Sequence, residues 1–288
     1  MKPAPLHSSA YRETVARALT EDVGSGDITT NSVVDKAREG TAQILAREPL
    51  VLCGLPVMRE VFSQVDPKLS FTGLMEEGST CKGPRQPVAR VSGSLASILT
   101  AERVALNFAQ RMSGIATLCR EFCSRVGPEA SARLVDTRKT TPGLRHLEKY
   151  AVRVGGARNH RFGLDDGLMI KDNHIAAAGG IAEAVRRAQR HGHHLLRIQV
   201  EVESLKQAIE AAEAGAGALL LDNFSVEELR NMVETLRREA PGVLLEASGG
   251  VSLETVAAIA ETGVDVISCG AITHQSRAVD LSLQIEAL

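Results

Sequence analysis

Residues 196–250 read LRIQVEVESLKQAIEAAEAGAGALLLDNFSVEELRNMVETLRREAPGVLLEASGG. Three short apolar runs, LRIQVEV (196–202), ALLL (218–221) and VLLEA (243–247), alternate with two stretches of helical period, 204–214 and 225–239. Strands that are apolar nearly throughout, separated by helices, belong to a parallel sheet covered on both faces. The pattern extends outward in both directions. RLVD (133–136) and GLMI (167–170) precede it and VDVIS (264–268) follows, with further helices expected at 179–191 and 252–262. Six strands over about 140 residues suit a compact barrel short of the usual eight. An open doubly wound sheet is the competing arrangement.

The first hundred residues differ. YRETVARALTE (11–21) reads as a short helix, and GSGDITT (24–30) as a turn in which Asp27 is available as a helix cap. TAQILA, LVLCG, LSFTGL and PVARVSG between 40 and 98 are short extended runs separated by Gly and Pro, as in a small antiparallel sheet with few helices. A long helical stretch runs from Leu95 to about Val126. Val104, Phe108, Met112 and Ile115 share one face of it, and Ser113-Gly114 is a candidate break.

Composition removes several classes of function. The chain has 288 residues, 44% apolar and 24% charged, which is ordinary globular usage and ample for a large core. A net charge of −2 gives no global basic surface for nucleic acid, and the absence of Trp disfavours stacked-base platforms. No apolar run is long enough to span a membrane, and MKPAPLHSSAYRE lacks the apolar core of a secretory signal. Five cysteines argue against a disulfide framework and for a reducing cytoplasm.

Every expected strand ends in a small polar group: Asp136-Thr137-Arg138-Lys139, Lys171-Asp172-Asn173-His174, Glu201-Val202-Glu203, Asp222-Asn223, Ser248-Gly249-Gly250 and Cys269-Gly270. In parallel α/β folds these ends converge on one rim, where ligands bind. Arg138, Lys139, His160, Arg161 and Lys171 would make that rim cationic, which suits a substrate with several negative charges. Ion pairs with Glu148, Asp165 and Asp166 are the plainer explanation for any one of them. Glu201 and Asp222 end consecutive strands and could hold Mg²⁺ beside a phosphate, or pair with Lys139 or Lys171. The glycines after the last strands permit close approach of a phosphate to backbone N–H groups. The HGHH segment (191–194) lacks spaced partner ligands, and Cys119 with Cys123 reads as core packing.

Longer motifs narrow this further. DTRKTTPGLRHLEKYAVRVGGARNHRFGLDDGLMIKDNHI (136–175) resembles the signature stretch of the quinolinate phosphoribosyltransferases. EDVGSGDITT (21–30), TAERVALNFAQRMSGIAT (100–117), VEVES (200–204), LLLDNFS (219–225), EASGGVSLETV (246–256) and GVDVISCGAITHQSRAVDLSL (263–283) fit in order. Ala157 and Arg158 depart from the family's usual glycines. The resemblance implies transfer of phosphoribosyl from phosphoribosyl pyrophosphate to quinolinate, with release of pyrophosphate and CO₂ and a requirement for Mg²⁺. It implies an incomplete α/β barrel over residues 113–274, and an N-terminal open-faced α/β sandwich over 1–112 joined by the tail 275–288. It further implies a homodimer with shared sites, alone or in a hexamer of dimers.

Residue by residue, the resemblance gives Arg103 to quinolinate across the dimer interface. Arg138, His160, Arg161 and Lys171 match the pocket for its carboxylates, and Lys139 and Lys171 groups near the sugar donor. Glu201 and Asp222 match acids near the ribose and Mg²⁺; Ser248, Gly249, Gly270 and His274 match the 5-phosphate end. Three rivals remain: a same-fold relative of the molybdenum-transport type with another acceptor, a Schiff-base lyase using Lys171, and a sensor that binds phosphorylated ligands.

Overall fold

The structure, a computed structural model, describes residues 4–35 and 37–286. The outermost residues of the expected first domain, 1–3 and 287–288, and Lys36 within it lie outside the described residues. The described chain packs as two compact units. One takes the residues up to Arg120, Thr140–Gly156 and those from Thr273 onward; the other takes Glu121–Lys139 and Ala157–Ile272.

Strands β1 (Glu39–Ala46), β3 (Ser70–Gly73), β5 (Gln86–Ser94) and β12 (Leu281–Ile285) build the sheet of the first unit, in the order β12-β1-β5-β3. All its pairs are antiparallel, so the last strand of the chain lies against the first, with Ala46 opposite Leu281. Helix α1 (Arg12–Val23) and helix α2 (Ile28–Val33) precede the sheet. Asp27 caps α2 as expected, accepting a 2.9 Å hydrogen bond from Thr30 N.

A helix that the sequence reading passed over, α3 (Leu55–Val65), follows the short strand β2 (Leu50–Val51), which pairs antiparallel with β4 (Thr80–Cys81). Pro56 had looked like a separator, but it stands in the first turn, where a missing N–H costs nothing. The start of α3 is capped from outside. Glu77 accepts hydrogen bonds from Gly54 N at 2.6 Å and Leu55 N at 3.1 Å. Leu55, Val57, Met58, Val61 and Phe62 are buried along one face.

Helix α4 (Leu95–Val126) is continuous, so the expected break at Ser113-Gly114 does not occur. Both residues are there for packing. Ser113 Oγ donates to Cys53 O at 3.0 Å and accepts from Cys53 N at 2.9 Å. A Cβ on Gly114 would lie 2.0 Å from the carbonyl oxygen of Arg277. Gly114→Ala should therefore destabilise, by about 1–3 kcal/mol, although alanine is the better helix former. Thermal unfolding measures this; an unchanged or raised Tm would show that the Arg277 backbone gives way.

The second unit holds the six expected parallel strands: β6 (Arg133–Val135), β7 (Leu168–Ile170), β8 (Ile198–Val202), β9 (Ala218–Asp222), β10 (Leu244–Ser248) and β11 (Val266–Ser268). Their order, β6-β11-β10-β9-β8-β7, decides between the two arrangements left open. Strands β7 to β11 pair in chain succession, and the first strand, β6, pairs with the last. That is a ring with one join missing, between β6 and β7. On that free edge of β6, Arg158 N donates to Leu134 O at 3.0 Å and Asp136 N to Arg158 O at 3.2 Å. A doubly wound sheet would instead place its first strand inside the sheet. The fold is an incomplete α/β barrel. Helices α7 (Ile181–His191), α8 (Leu205–Glu213), α9 (Val226–Glu239) and α10 (Val256–Ala260) fall where alternation required, the last shorter than expected. Val200, Leu219, Leu221, Leu245 and Ile267 are fully buried, each contributing up to about 2–3 kcal/mol of transfer free energy.

Candidate active site

The C-terminal ends of all six barrel strands open onto one cavity of about 430 Å³. Thr137, Arg138 and Lys139 come from the end of β6, and Met169 and Lys171 from β7. Glu201 comes from β8, Leu220 and Asp222 from β9, Glu246 and Ser248 from β10, and Ser268 from β11. His160 and Arg161, on the segment beside β6, complete the lining. Convergence of six strand ends on one pocket is what a ring produces and a flat sheet does not.

Local backbone contacts aim these side chains. Fully buried Asp136 accepts from His160 N at 2.8 Å and from Asn159 Nδ2 at 2.6 Å, pinning the Asn159-His160-Arg161 segment to the end of β6. Arg161 donates through Nη1 to Gly167 O at 3.0 Å, and Phe162 N and Gly163 N donate to Asp166. Lys171 is the N-cap of helix α6 (Asp172–Ala178), so its side chain leaves the strand where the helix begins. At the ends of β9 and β10, Asn223 N donates to Ser248 O at 2.9 Å. Gly249 has φ +83°, and a Cβ there would sit 2.0 Å from Asn223 Oδ1. Glycine is required for both reasons.

Charge is unevenly distributed. The Lys171 ammonium pairs with Glu201 Oε2, so the plainer expectation of a local ion pair holds for this lysine. An ion-paired ammonium is not the desolvated amine that a Schiff-base lysine needs. Asp222 accepts from Asn223 Nδ2 at 2.8 Å. Burial lowers the Arg161 pKa, and the like charge of Arg138 lowers it further, against a partial offset from Asp166. Two guanidinium groups that repel each other in a pocket are poised for an anion that accepts from both. Glu148, a suggested local partner for these cations, instead pairs with Arg111 at 2.9 Å in the first unit.

Of the expected site residues, Arg138, Lys139, His160, Arg161, Lys171, Glu201, Asp222 and Ser248 line the cavity. Gly249 follows Ser248 directly, and Gly270 follows β11, half-buried; neither is among the lining residues. His274 and Arg103 are exposed and belong to the first unit, Arg103 on α4. The sequence reading missed Glu246, which lies buried at the cavity wall. Its signal was present: a lone acid inside the apolar run VLLEA is costly to bury unless it is partnered. No group of three or more His, Cys, Asp or Glu that could hold a metal occurs among the described residues, the HGHH segment included. The carboxylate pair Glu201 and Asp222 does suit an ion that keeps its waters and draws its other ligands from a phosphorylated substrate. No described helix is long and apolar enough to cross a membrane.

Comparison with known proteins places the chain. The family described as "Quinolinate phosphoribosyl transferase, N-terminal domain" matches residues 27–113, and its "C-terminal domain" counterpart matches 115–284. A probable nicotinate-nucleotide pyrophosphorylase (carboxylating) of Synechocystis is 44% identical over 267 residues, covering 93% of this chain and 90% of that one. A nicotinate-nucleotide pyrophosphorylase (carboxylating) of Mycobacterium leprae is 43% identical over 280 residues, covering 96% and 97%. The solved nicotinate-nucleotide pyrophosphorylase of Francisella tularensis superposes with a TM-score of 0.92 at 39% identity, over 99% of both chains.

Proposed function

The chain belongs to the quinolinate phosphoribosyltransferase family, and from that premise we propose how its pocket carries the family's reaction. The enzyme transfers phosphoribosyl from phosphoribosyl pyrophosphate to the ring nitrogen of quinolinate and releases one carboxyl group as CO₂. The products are nicotinate mononucleotide, a precursor of NAD, and pyrophosphate. The observation that carries the assignment of this pocket is the convergence of Arg138, Lys139, His160, Arg161 and Lys171 on one cavity fed by all six strands. A dianionic acceptor and a polyanionic donor suit that lining.

Arg138, Arg161 and Lys171 hold the two carboxylates of quinolinate beside the ring of His160, the guanidinium groups by paired hydrogen bonds that fix the ring plane. Held so, the ring nitrogen faces the anomeric carbon of the donor, and orientation supplies much of the rate. The nitrogen–carbon bond forms as the bond from carbon to pyrophosphate oxygen breaks. Positive charge develops on the ribose, where Glu201 and Asp222 stabilise it. Lys139 and Lys171 face the charge of the departing pyrophosphate. Loss of CO₂ then leaves an electron pair on the ring carbon beside the now cationic nitrogen, which stabilises it until a proton replaces it. The substrate ring is its own electron sink, so no organic cofactor is needed.

Glu201 and Asp222 are the residues that would hold Mg²⁺. Bound with the donor, that ion neutralises pyrophosphate charge. Ser248, Gly249 and Gly270 receive the 5-phosphate, for which the left-handed Gly249 offers close backbone approach. The working form is a cytoplasmic homodimer, alone or in a hexamer of dimers, in which Arg103 of one copy completes the pocket of the other.

The test is CO₂ release from carboxyl-labelled quinolinate, with phosphoribosyl pyrophosphate and Mg²⁺ present and with each omitted in turn. Release that requires all three is expected; release without Mg²⁺, after chelation, would remove the metal. Lys139→Ala should raise the KM for phosphoribosyl pyrophosphate about tenfold, the worth of one charge-assisted contact, and leave the KM for quinolinate nearly unchanged. Steady-state kinetics with each substrate varied checks this, and unchanged constants would refute the role of Lys139.

A further inference from the structure

Glu246 is a buried acid in a pocket that binds anions, and the reaction as derived gives it no work. Its side chain is only 4% exposed. Oε2 accepts from Gln199 Nε2 at 2.8 Å and lies 3.4 Å from His160 Nε2, while Oε1 is buried without a hydrogen-bond partner. A carboxylate at that depth repels substrate carboxylates unless its field is spent on a neighbour.

The neighbour is His160. Arg161 N donates to His160 Nδ1 at 2.7 Å, so Nδ1 is an acceptor and carries no proton. The ring proton is then on Nε2, which faces Glu246 Oε2. His160 N is held separately by Asp136 Oδ1 at 2.8 Å. Backbone and ring are thus held by separate partners, the backbone by Asp136 and the ring by Glu246. We propose that Glu246 is a positioning residue, which fixes the ring orientation and the Nε2–H tautomer of His160 and so shapes the quinolinate end of the pocket. This rests on the assignment of that end to quinolinate. A carboxylate is needed because it can only accept. A glutamine amide could turn its NH₂ group toward Nε2, and the displaced ring proton would then meet the Arg161 N–H.

Two measurements test this. Ring-¹⁵N-histidine NMR of the substrate-free wild-type protein should show His160 protonated on Nε2 alone. A ring protonated on Nδ1, or on both nitrogens, overturns the proposal without reference to any substrate. Glu246→Gln should then raise the KM for quinolinate about tenfold, with kcat and the KM for phosphoribosyl pyrophosphate within twofold of wild type. A quinolinate KM within twofold of wild type overturns it. Should Glu246→Gln fail to fold, Gln199→Leu removes one donor from the same carboxylate. It should produce the same split at about threefold, and no split would overturn the proposal. If wild-type protein does not turn over quinolinate, the assigned substrate fails while the tautomer result still stands or falls alone.

Discussion

Lys171→Ala is expected to lower kcat/KM for quinolinate phosphoribosyl transfer by at least about 10³-fold, about 4 kcal/mol of transition-state stabilisation. Two losses act together. The cation proposed to face both the acceptor's carboxylate and the departing pyrophosphate is gone. The Glu201 carboxylate, half-buried and paired with that ammonium, is left as an uncompensated negative charge facing two anionic substrates. The fold should survive, because the Lys171 side chain is 42% exposed, so truncation to alanine removes little buried surface. Lys171→Arg should recover only part of the loss, since a planar fork does not reproduce the position of a point charge. The checks are steady-state CO₂ release with each substrate varied and a thermal melt of the same preparation. A loss below tenfold in folded protein would take Lys171 out of the chemistry.

The barrel was readable because its strands are buried on both faces and so are apolar without interruption. Leu219, Leu220 and Leu221 admit no other reading once Asp222-Asn223 ends the run. What the pattern could not supply was the order of the strands. A parallel β/α succession is the same string of residues in a ring and in an open sheet, and only the β6–β11 pairing separates them. Helix α3 escaped for a related reason. Its cap, Glu77, lies 22 and 23 residues beyond the groups it satisfies, so no local signal marks the start. Helix α5 (Arg145–Gly155) was legible and was passed over: Leu147, Tyr150, Ala151 and Val154 recur at helical spacing and are buried. Gly114 was read as a breaker when it is a close approach.

The site divided along the same line. Residues whose role is to present charge at a strand end were visible, since Arg138, Lys139, Lys171, Glu201 and Asp222 interrupt an apolar rhythm where it should stop. Glu246 interrupts the rhythm where it should continue, two residues before its strand ends. An inward charge in mid-strand needs partners from other strands, and Gln199 and His160 lie 47 and 86 positions earlier in the chain. Nothing short of the assembled barrel brings them together.

Subunit complementation is expected to give the second large effect. Arg103→Ala and Lys171→Ala should each be nearly inactive alone, at or below about one part in 10³ of wild type, and a mixture of the two should recover about a quarter. The arithmetic comes from the proposed sharing of each site between two copies. Random exchange makes half of all dimers mixed. In a mixed dimer the pocket of the Arg103→Ala copy keeps its own Lys171 and receives Arg103 from the other copy. The opposite pocket lacks both, so one site in four overall is native. Arg103 is exposed on α4 of the first unit, so alanine there removes no core packing and the melting temperature should stay near wild type. A site contained within one copy predicts the contrary: activity of the mixture no greater than the mean of the two variants. Mixing after mild dissociation, with mass spectrometry confirming that mixed dimers formed, distinguishes the two. Absence of recovery in the presence of mixed dimers would confine the site to a single chain and leave Arg103 without a role in it.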